Sequence, residues 1–239
     1  MKTTKALLAL FALTVLPLTA CSDDDDDSAS FSITPSSVSF YFEEEQQLTA
    51  SDNTVVTWST DDDFVAWVDD NGLLTASHVG TTLAKATDSK NNVVSIPVTV
   101  MPTYVTYAEP YLNWGASASD VKKNVSYTLV SEDDEAIIYQ DGDFAYCFNF
   151  DDGKYMGLTV LVPTSIEAKE ITVYIFERYE YVSKSNGTYY FQTPEQKTFL
   201  GMKVYSSKYY SITYVDYSTA SSKSLALDQV EALATSLAL

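Results

Sequence analysis

Apolar and polar positions alternate with period two through most of the chain between residues 37 and 217, the pattern of strands that bury one face. Within residues 31–101 the alternating runs are 37–42, 47–50, 55–59, 64–68, 73–76, 81–87 and 93–100. Polar turns separate them, among them Asp61-Asp62-Asp63 and Asp69-Asp70-Asn71-Gly72. Asn-Gly favours a hairpin because both residues tolerate positive φ. In the last run Val94, Ile96, Val98 and Val100 share one face. Short strands at this spacing predict an all-β sandwich.

A different pattern fills residues 103–219. Ser117 and Asp120 form a variant of the capping box, which predicts a short helix from Ala118 with Val121 and Val125 on its inner side. Strand-like runs follow at 135–139, 143–150 and 155–162, joined by Asp141-Gly142 and Asp151-Asp152-Gly153. The order then repeats. Thr164 and Glu167 make a second capping box ahead of residues 168–178, where Ile171, Tyr174, Ile175 and Tyr179 have helical spacing. The β-branched and aromatic content there keeps a strand as the competing reading for residues 166–180. Runs at 188–192, 198–205 and 209–217 are again strand-like. Two αβββ units predict an α+β domain, one antiparallel sheet with helices on a single face. In residues 220–239, Leu225, Ala226, Val230, Leu233, Ala234 and Leu237 recur at helical spacing, with Asp228 and Glu231 on the other side. This is the pattern of an amphipathic helix packed on the domain or docked on a partner.

The chain is thus multidomain, and its first 30 residues belong to neither domain. Lys2 and Lys5 precede an apolar run over residues 6–18, shorter than the ~20 residues that span a bilayer. Residues 1–20 therefore read as a secretory signal. The sequence Leu18-Thr19-Ala20-Cys21 resembles the lipobox of bacterial lipoproteins, which implies that Cys21 is lipidated and becomes the new N-terminus. Ser22, Asp23, Asp24, Asp25, Asp26 and Asp27 follow it. Adjacent carboxylates stay extended in water, so residues 21–30 form a tether. This acidic run resembles the surface-export signal of Bacteroidetes lipoproteins, which implies an outer-membrane lipid anchor facing the medium. Asp27-Ser28-Ala29 is similar to the short O-glycosylation site of that phylum, with Ser28 as acceptor.

Charge removes several classes of partner. The formal net charge is −19, and loss of residues 1–20, which hold two lysines and no acid, makes it −21. Nucleic-acid binding needs clustered Lys and Arg, and this chain has one arginine, Arg178. With Cys21 lipidated, Cys147 has no intrachain partner, so a disulfide framework is excluded. Cys147 lies in Phe144-Ala145-Tyr146-Cys147-Phe148-Asn149-Phe150, on the face opposite the aromatics, as a small half-buried side chain. The single histidine, His78, reads as a solvated loop residue with no triad to join and no second His for zinc. No metal, cofactor or catalytic residue is expected.

Within residues 31–101, Ile33-Thr34-Pro35, Leu48-Thr49-Ala50, Val56-Thr57-Trp58-Ser59, Asn71-Gly72-Leu73-Leu74-Thr75-Ala76, Gly80-Thr81-Thr82 and Val98-Thr99-Val100 resemble the bacterial Ig-like domain of group 2 in order and spacing. That resemblance implies a spacer or adhesive module without catalytic residues. Trp67 and the Glu43-Glu44-Glu45 turn depart from the family pattern. Trp114-Gly115 with Asp120-Val121, and the helix-then-strands order, is similar to the tandem modules of β-lactamase-inhibitor-protein-like domains, which implies a fold and no activity.

Of 18 tyrosines, 17 follow residue 103. Tyr combines apolar area with a hydroxyl at low entropic cost, so Tyr179, Tyr181, Tyr189, Tyr190, Tyr209 and Tyr210 are the candidate ligand contacts. The expectation is a non-enzymatic surface lipoprotein whose Ig-like stalk presents a domain that recognises a protein or a glycan. The alternatives are glycan capture in a polysaccharide-utilisation system and a periplasmic assembly or inhibitor role. The feature that would favour glycan capture is two or three coplanar exposed aromatics with nearby carboxamides on one sheet face.

Overall fold

A computed structural model describes residues 31–195 and 197–217. Cys21, the acidic run after it, Ser28 and the tail 220–239 lie outside the described residues.

The first nine strands are β1 (Ile33–Thr34), β2 (Val38–Tyr41), β3 (Glu45–Gln47), β4 (Thr49–Ala50), β5 (Val56–Thr60), β6 (Ala66–Val68), β7 (Leu73–Ala76), β8 (Gly80–Asp88) and β9 (Val93–Met101). They form a four-stranded sheet in the order β2-β9-β8-β5, a three-stranded sheet β3-β7-β6 and a short β1-β4 pair. β2 runs parallel to β9 and the other pairs are antiparallel. The alternation read from sequence is the packing observed: Ile96, Val98 and Val100 are buried with Ala84 and Ala86 from β8, facing Leu48, Ala66 and Leu74 of the other layer. Glu43 has φ 65°, so an acidic residue occupies a left-handed turn position that glycine fills most readily. Gly72 has φ 81°, and a Cβ there would lie 2.7 Å from the Leu48 carbonyl oxygen and 3.0 Å from the Trp58 ring.

The remaining elements are α1 (Ala118–Asn124), β10 (Thr128–Glu132), β11 (Ala136–Asp141), β12 (Phe144–Asp151), β13 (Lys154–Pro163), α2 (Ala168–Phe176), β14 (Glu180–Ser185), β15 (Thr188–Gln192), β16 (Thr198–Val204) and β17 (Tyr209–Asp216). All eight strands join one antiparallel sheet in the order β10-β11-β12-β13-β17-β16-β15-β14. The repeat is therefore one helix and four strands, not one helix and three. β10 is exposed along its whole length and β14 along most of its own, and neither has the alternation that marks a half-buried strand. With only two short helices among the described residues, this part is mostly β there.

Ser117 caps α1 as its sequence implies, its hydroxyl accepting from the Asp120 N–H. The second capping box does not form. Glu167 is itself the N-cap of α2 without a side-chain cap bond, and Thr164 donates instead to the Ser207 carbonyl. Residues 168–176 are nonetheless helical, because Ile171, Tyr174 and Ile175 bury one helical stripe on the sheet. Asp152 and Gly153 have φ of 47° and 71°, the positive pair that a tight hairpin between β12 and β13 demands.

The connection between the two parts is tied at the C-terminal end of α2. Glu177 is completely buried, and its carboxylate accepts the backbone N–H of Thr103 (2.8 Å) and Tyr104 (3.3 Å). Its own carbonyl accepts the Val79 N–H at 2.6 Å. Arg178 pairs with Glu177 and Glu109, donates to the Tyr104 carbonyl, and lies 3.9 Å from the Tyr174 ring centre. His78 sits at this junction, half-buried rather than solvated. Its ring stacks on Phe64 at 3.7 Å, and Nδ1 is 2.7 Å from the Phe64 carbonyl oxygen. Burial holds its pKa below the ordinary value, partly offset by the carbonyls of Phe64 and Tyr179.

Candidate functional site

The eight-stranded sheet has two unlike faces. On the first, Tyr139, Tyr146, Phe148, Leu158, Val160 and Tyr214 meet both helices and the segment around Tyr107. Its hydroxyls are internally satisfied: Tyr107 and Tyr214 share a 2.7 Å hydrogen bond, Tyr174 donates to the Tyr107 carbonyl, and Tyr155 to the Tyr111 carbonyl. Burial pushes the pKa of Tyr107, Tyr155, Tyr174 and Tyr214 well up from the ordinary value. These tyrosines are core residues.

On the second face, at the end where β16 turns into β17, lies a hollow of about 410 Å³. Its floor is Ile138, Ala145 and Leu161, its walls Tyr205 and Tyr209, and its rim Gln140, Ser206 and Lys208. The hairpin that carries the two rings is firmly set. Tyr205 and Ser206 both donate their N–H to the Tyr209 carbonyl at 3.0 Å. The Ser206 hydroxyl accepts from the N–H groups of Lys208 and Tyr209 at 3.2 Å, and the Lys208 carbonyl accepts the Thr164 N–H at 2.8 Å. Gln140 is oriented by donating to the Gly142 carbonyl at 2.9 Å. Two half-buried phenol rings over an apolar floor, with an amide, a hydroxyl and an ammonium at the rim, suit the apolar face and hydroxyl edge of a sugar ring.

The six tyrosines expected as one contact patch are dispersed. Tyr209 alone lines this hollow. Tyr189 and Tyr210 line a separate groove of about 190 Å³ beside α2, with Ile171, Thr172 and Met202. Tyr179 is buried, its hydroxyl 3.4 Å from Glu109. Tyr190 is buried on the second face, stacked on Phe199. Tyr181 is exposed but stacked on Phe176 at the sheet edge. Tyr205 and Gln140 were not among the sequence candidates. The signal for Tyr205 was present in Tyr205-Ser206-Ser207-Lys208-Tyr209, where a tight turn between two strand runs sets the flanking tyrosines opposite one another.

Cys147 lies beside the hollow, packed with Ala145 and Leu161, and burial pushes its thiol up to about 11. A thiol in that state is not a nucleophile at neutral pH. Asp134, Glu135, Asp151 and Asp152 border an open depression at the opposite end of β12. Among the described residues no group of three or more His, Cys, Asp or Glu is placed to hold a metal ion.

Residues 28–98 match the family model of the bacterial Ig-like domain (group 2). This covers the two packed sheets of the first part up to Val98 of β9 and stops short of every residue of the hollow. No curated protein matches the chain.

Proposed function

We propose, starting from an Ig-like domain at residues 28–98, that this is a non-enzymatic lipoprotein of the cell surface whose second domain captures a glycan. The Ig-like domain itself suggests a surface or adhesion-type role. Cys21 carries the lipid, residues 23–27 direct export to the outer surface, and the Ig-like domain is the stalk. The observation that carries the ligand class is the Tyr205–Tyr209 hollow with Gln140 at its rim. It brings two half-buried aromatics and a carboxamide to one hollow, a lining that suits the apolar face and hydroxyl edge of a sugar ring.

A glycan array probed with purified chain tests the ligand class. Binding of a glycan family that weakens in Tyr209→Ala supports the reading, and silence across the array overturns it. Protease treatment of intact cells tests the location, with Cys21→Ala as control. Digestion from outside is expected, and protection until the outer membrane is broken would move the protein to the periplasm.

Protein recognition is the second reading. Its specific support is β10, the edge strand of the sheet among the described residues, which leaves Leu129 and Val130 exposed.

A further inference from the structure

The Tyr205–Tyr209 hollow is polarised from one rim to the other. At the hairpin rim the Ser206 oxygen accepts the N–H groups of Lys208 and Tyr209, so both its lone pairs are used and its hydroxyl proton is left to donate. Beside it Lys208 is exposed, an ammonium with three protons to give and nothing to accept with. Among the described residues its ammonium pairs with no carboxylate, and the ion pairs there use Lys85, Lys122, Lys123 and Arg178. The hairpin rim is therefore a donor pole. At the far rim Gln140 gives an amide N–H to the Gly142 carbonyl and presents its own Oε1 as an acceptor. Three strand spacings of ~4.8 Å separate β11, which carries Gln140, from β17, a span of ~14 Å.

Charge points the same way. The chain holds 33 acidic and 14 basic residues, and four acids border the depression at the opposite end of β12. Among the described residues that line the hollow there is no Asp or Glu, and Lys208 is the one charged side chain. Asp141 follows Gln140 directly, but it pairs with Phe144, whose ring packs on the first face, so the pleat turns its carboxylate away from the hollow. A chain of this net charge repels anions over most of its surface. At the hairpin rim an anion meets two donors and a positive charge instead.

Given the glycan reading, on which this rests, we propose that the sugar held at the hairpin rim is acidic: the ligand is an oligosaccharide that carries a carboxylate there. The two carboxylate oxygens meet the two donors, the Ser206 hydroxyl and the Lys208 ammonium. The apolar face of the same sugar lies on the Tyr205 and Tyr209 rings, and a hydroxyl further along the ligand donates to Gln140. A sulfate brings three oxygens to a pole with two donors and matches it less well. Hydrogen bonds with a charged partner are about twice as strong as neutral ones, so affinity depends on the charge of both members of the pair.

Calorimetric titration of the purified chain tests this. The probes are oligosaccharides of polygalacturonate, alginate and hyaluronan, each beside its neutral methyl ester, with carrageenan oligosaccharides as a sulfated arm and the neutral glycans of the array. At least one acidic oligosaccharide should bind at least tenfold more tightly than its ester. Lys208→Met should remove that difference, and Lys208→Arg should restore most of it. The Lys208 side chain is exposed and its backbone alone makes the hairpin hydrogen bonds, so both variants keep the fold. Acid and ester bound equally, binding of neutral glycans alone, or an acid preference untouched by Lys208→Met would each overturn the proposal and leave the glycan reading standing. Binding confined to carrageenan would overturn the carboxylate and give the pole to sulfate. Silence toward every acidic, sulfated and neutral glycan would overturn both.

Discussion

Arg178 and Glu177 are adjacent in sequence and paired across their side chains, with the carboxylate fully buried and the guanidinium 10% exposed. The pair fixes the chain where the two domains meet. Glu177 holds the linker N–H groups of Thr103 and Tyr104, and Arg178 caps the same segment from the other side through Tyr104 and Glu109. Removing the cation leaves a buried carboxylate without its counter-charge, a loss that costs about 3–5 kcal/mol. Arg178→Met, which keeps the stem over Tyr174, should lower the stability of the second domain by that order in urea denaturation. A change below about 1 kcal/mol would show that the pair does not organise the junction.

Gly72 supplies a second stability test, confined to the Ig-like domain. Its φ of 81° and the 2.7 Å approach of a Cβ to the Leu48 oxygen leave no room for alanine. Strain of this kind costs about 1–3 kcal/mol. Gly72→Ala should lower the first thermal transition and leave the second domain's unchanged.

His78 sets the response to mild acid. Its folded pKa lies below the ordinary 6.5 because burial against Phe64 disfavours the imidazolium. Below pH ~6.5 the unfolded chain takes up a proton that the folded chain resists, so stability is full above this pH and declines as pH falls through it. Asp69, Asp88 and Asp120 have lowered pKa values, through hydrogen bonds to their carboxylates, and act only below pH ~4, where protonation removes what they contribute. The Tm should therefore drop between pH 7.5 and 5.5 in the wild type, and less in His78→Gln. Equal slopes would refute a role for His78.

The buried tyrosines predict the alkaline limit. Tyr107, Tyr155 and Tyr214 have folded pKa values well above 10, raised by desolvation first and then by neighbouring phenols, Tyr174 and Tyr179 beside Tyr107, Tyr111 beside Tyr155, and Tyr107 beside Tyr214. Their contribution is complete below pH ~10 and lost as the unfolded chain ionises above it. Absorbance of tyrosinate should rise in two stages, exposed rings first and the buried set together with loss of the β-sheet signal. A single smooth titration without unfolding would contradict the packing described.

Period-two alternation made most of the fold legible. It marked nearly every strand whose faces differ in burial, and the Asn-Gly and Asp-Gly turns between them. It failed at β10 and β14, because an edge strand with both faces wet has no alternation to read. The second capping box misled because Thr164 spends its hydroxyl on Ser207, a partner 43 residues away. Tyrosine density also misled. Consecutive pairs such as Tyr189-Tyr190 and Tyr209-Tyr210 point to opposite faces of one sheet, so a cluster in sequence becomes two groups in space. The ring missing from the candidates, Tyr205, is four residues from Tyr209 and across the hairpin from it.

The most direct test of the glycan reading is isothermal titration calorimetry of the strongest array ligand against single alanine variants. Tyr205→Ala and Tyr209→Ala should each weaken binding at least tenfold, about 1.4 kcal/mol, while Tyr189→Ala and Tyr210→Ala in the groove beside α2 leave it unchanged. Binding that survives both hollow substitutions, or that is lost with Tyr189 or Tyr210 instead, would contradict the assignment of the Tyr205–Tyr209 hollow as the ligand site.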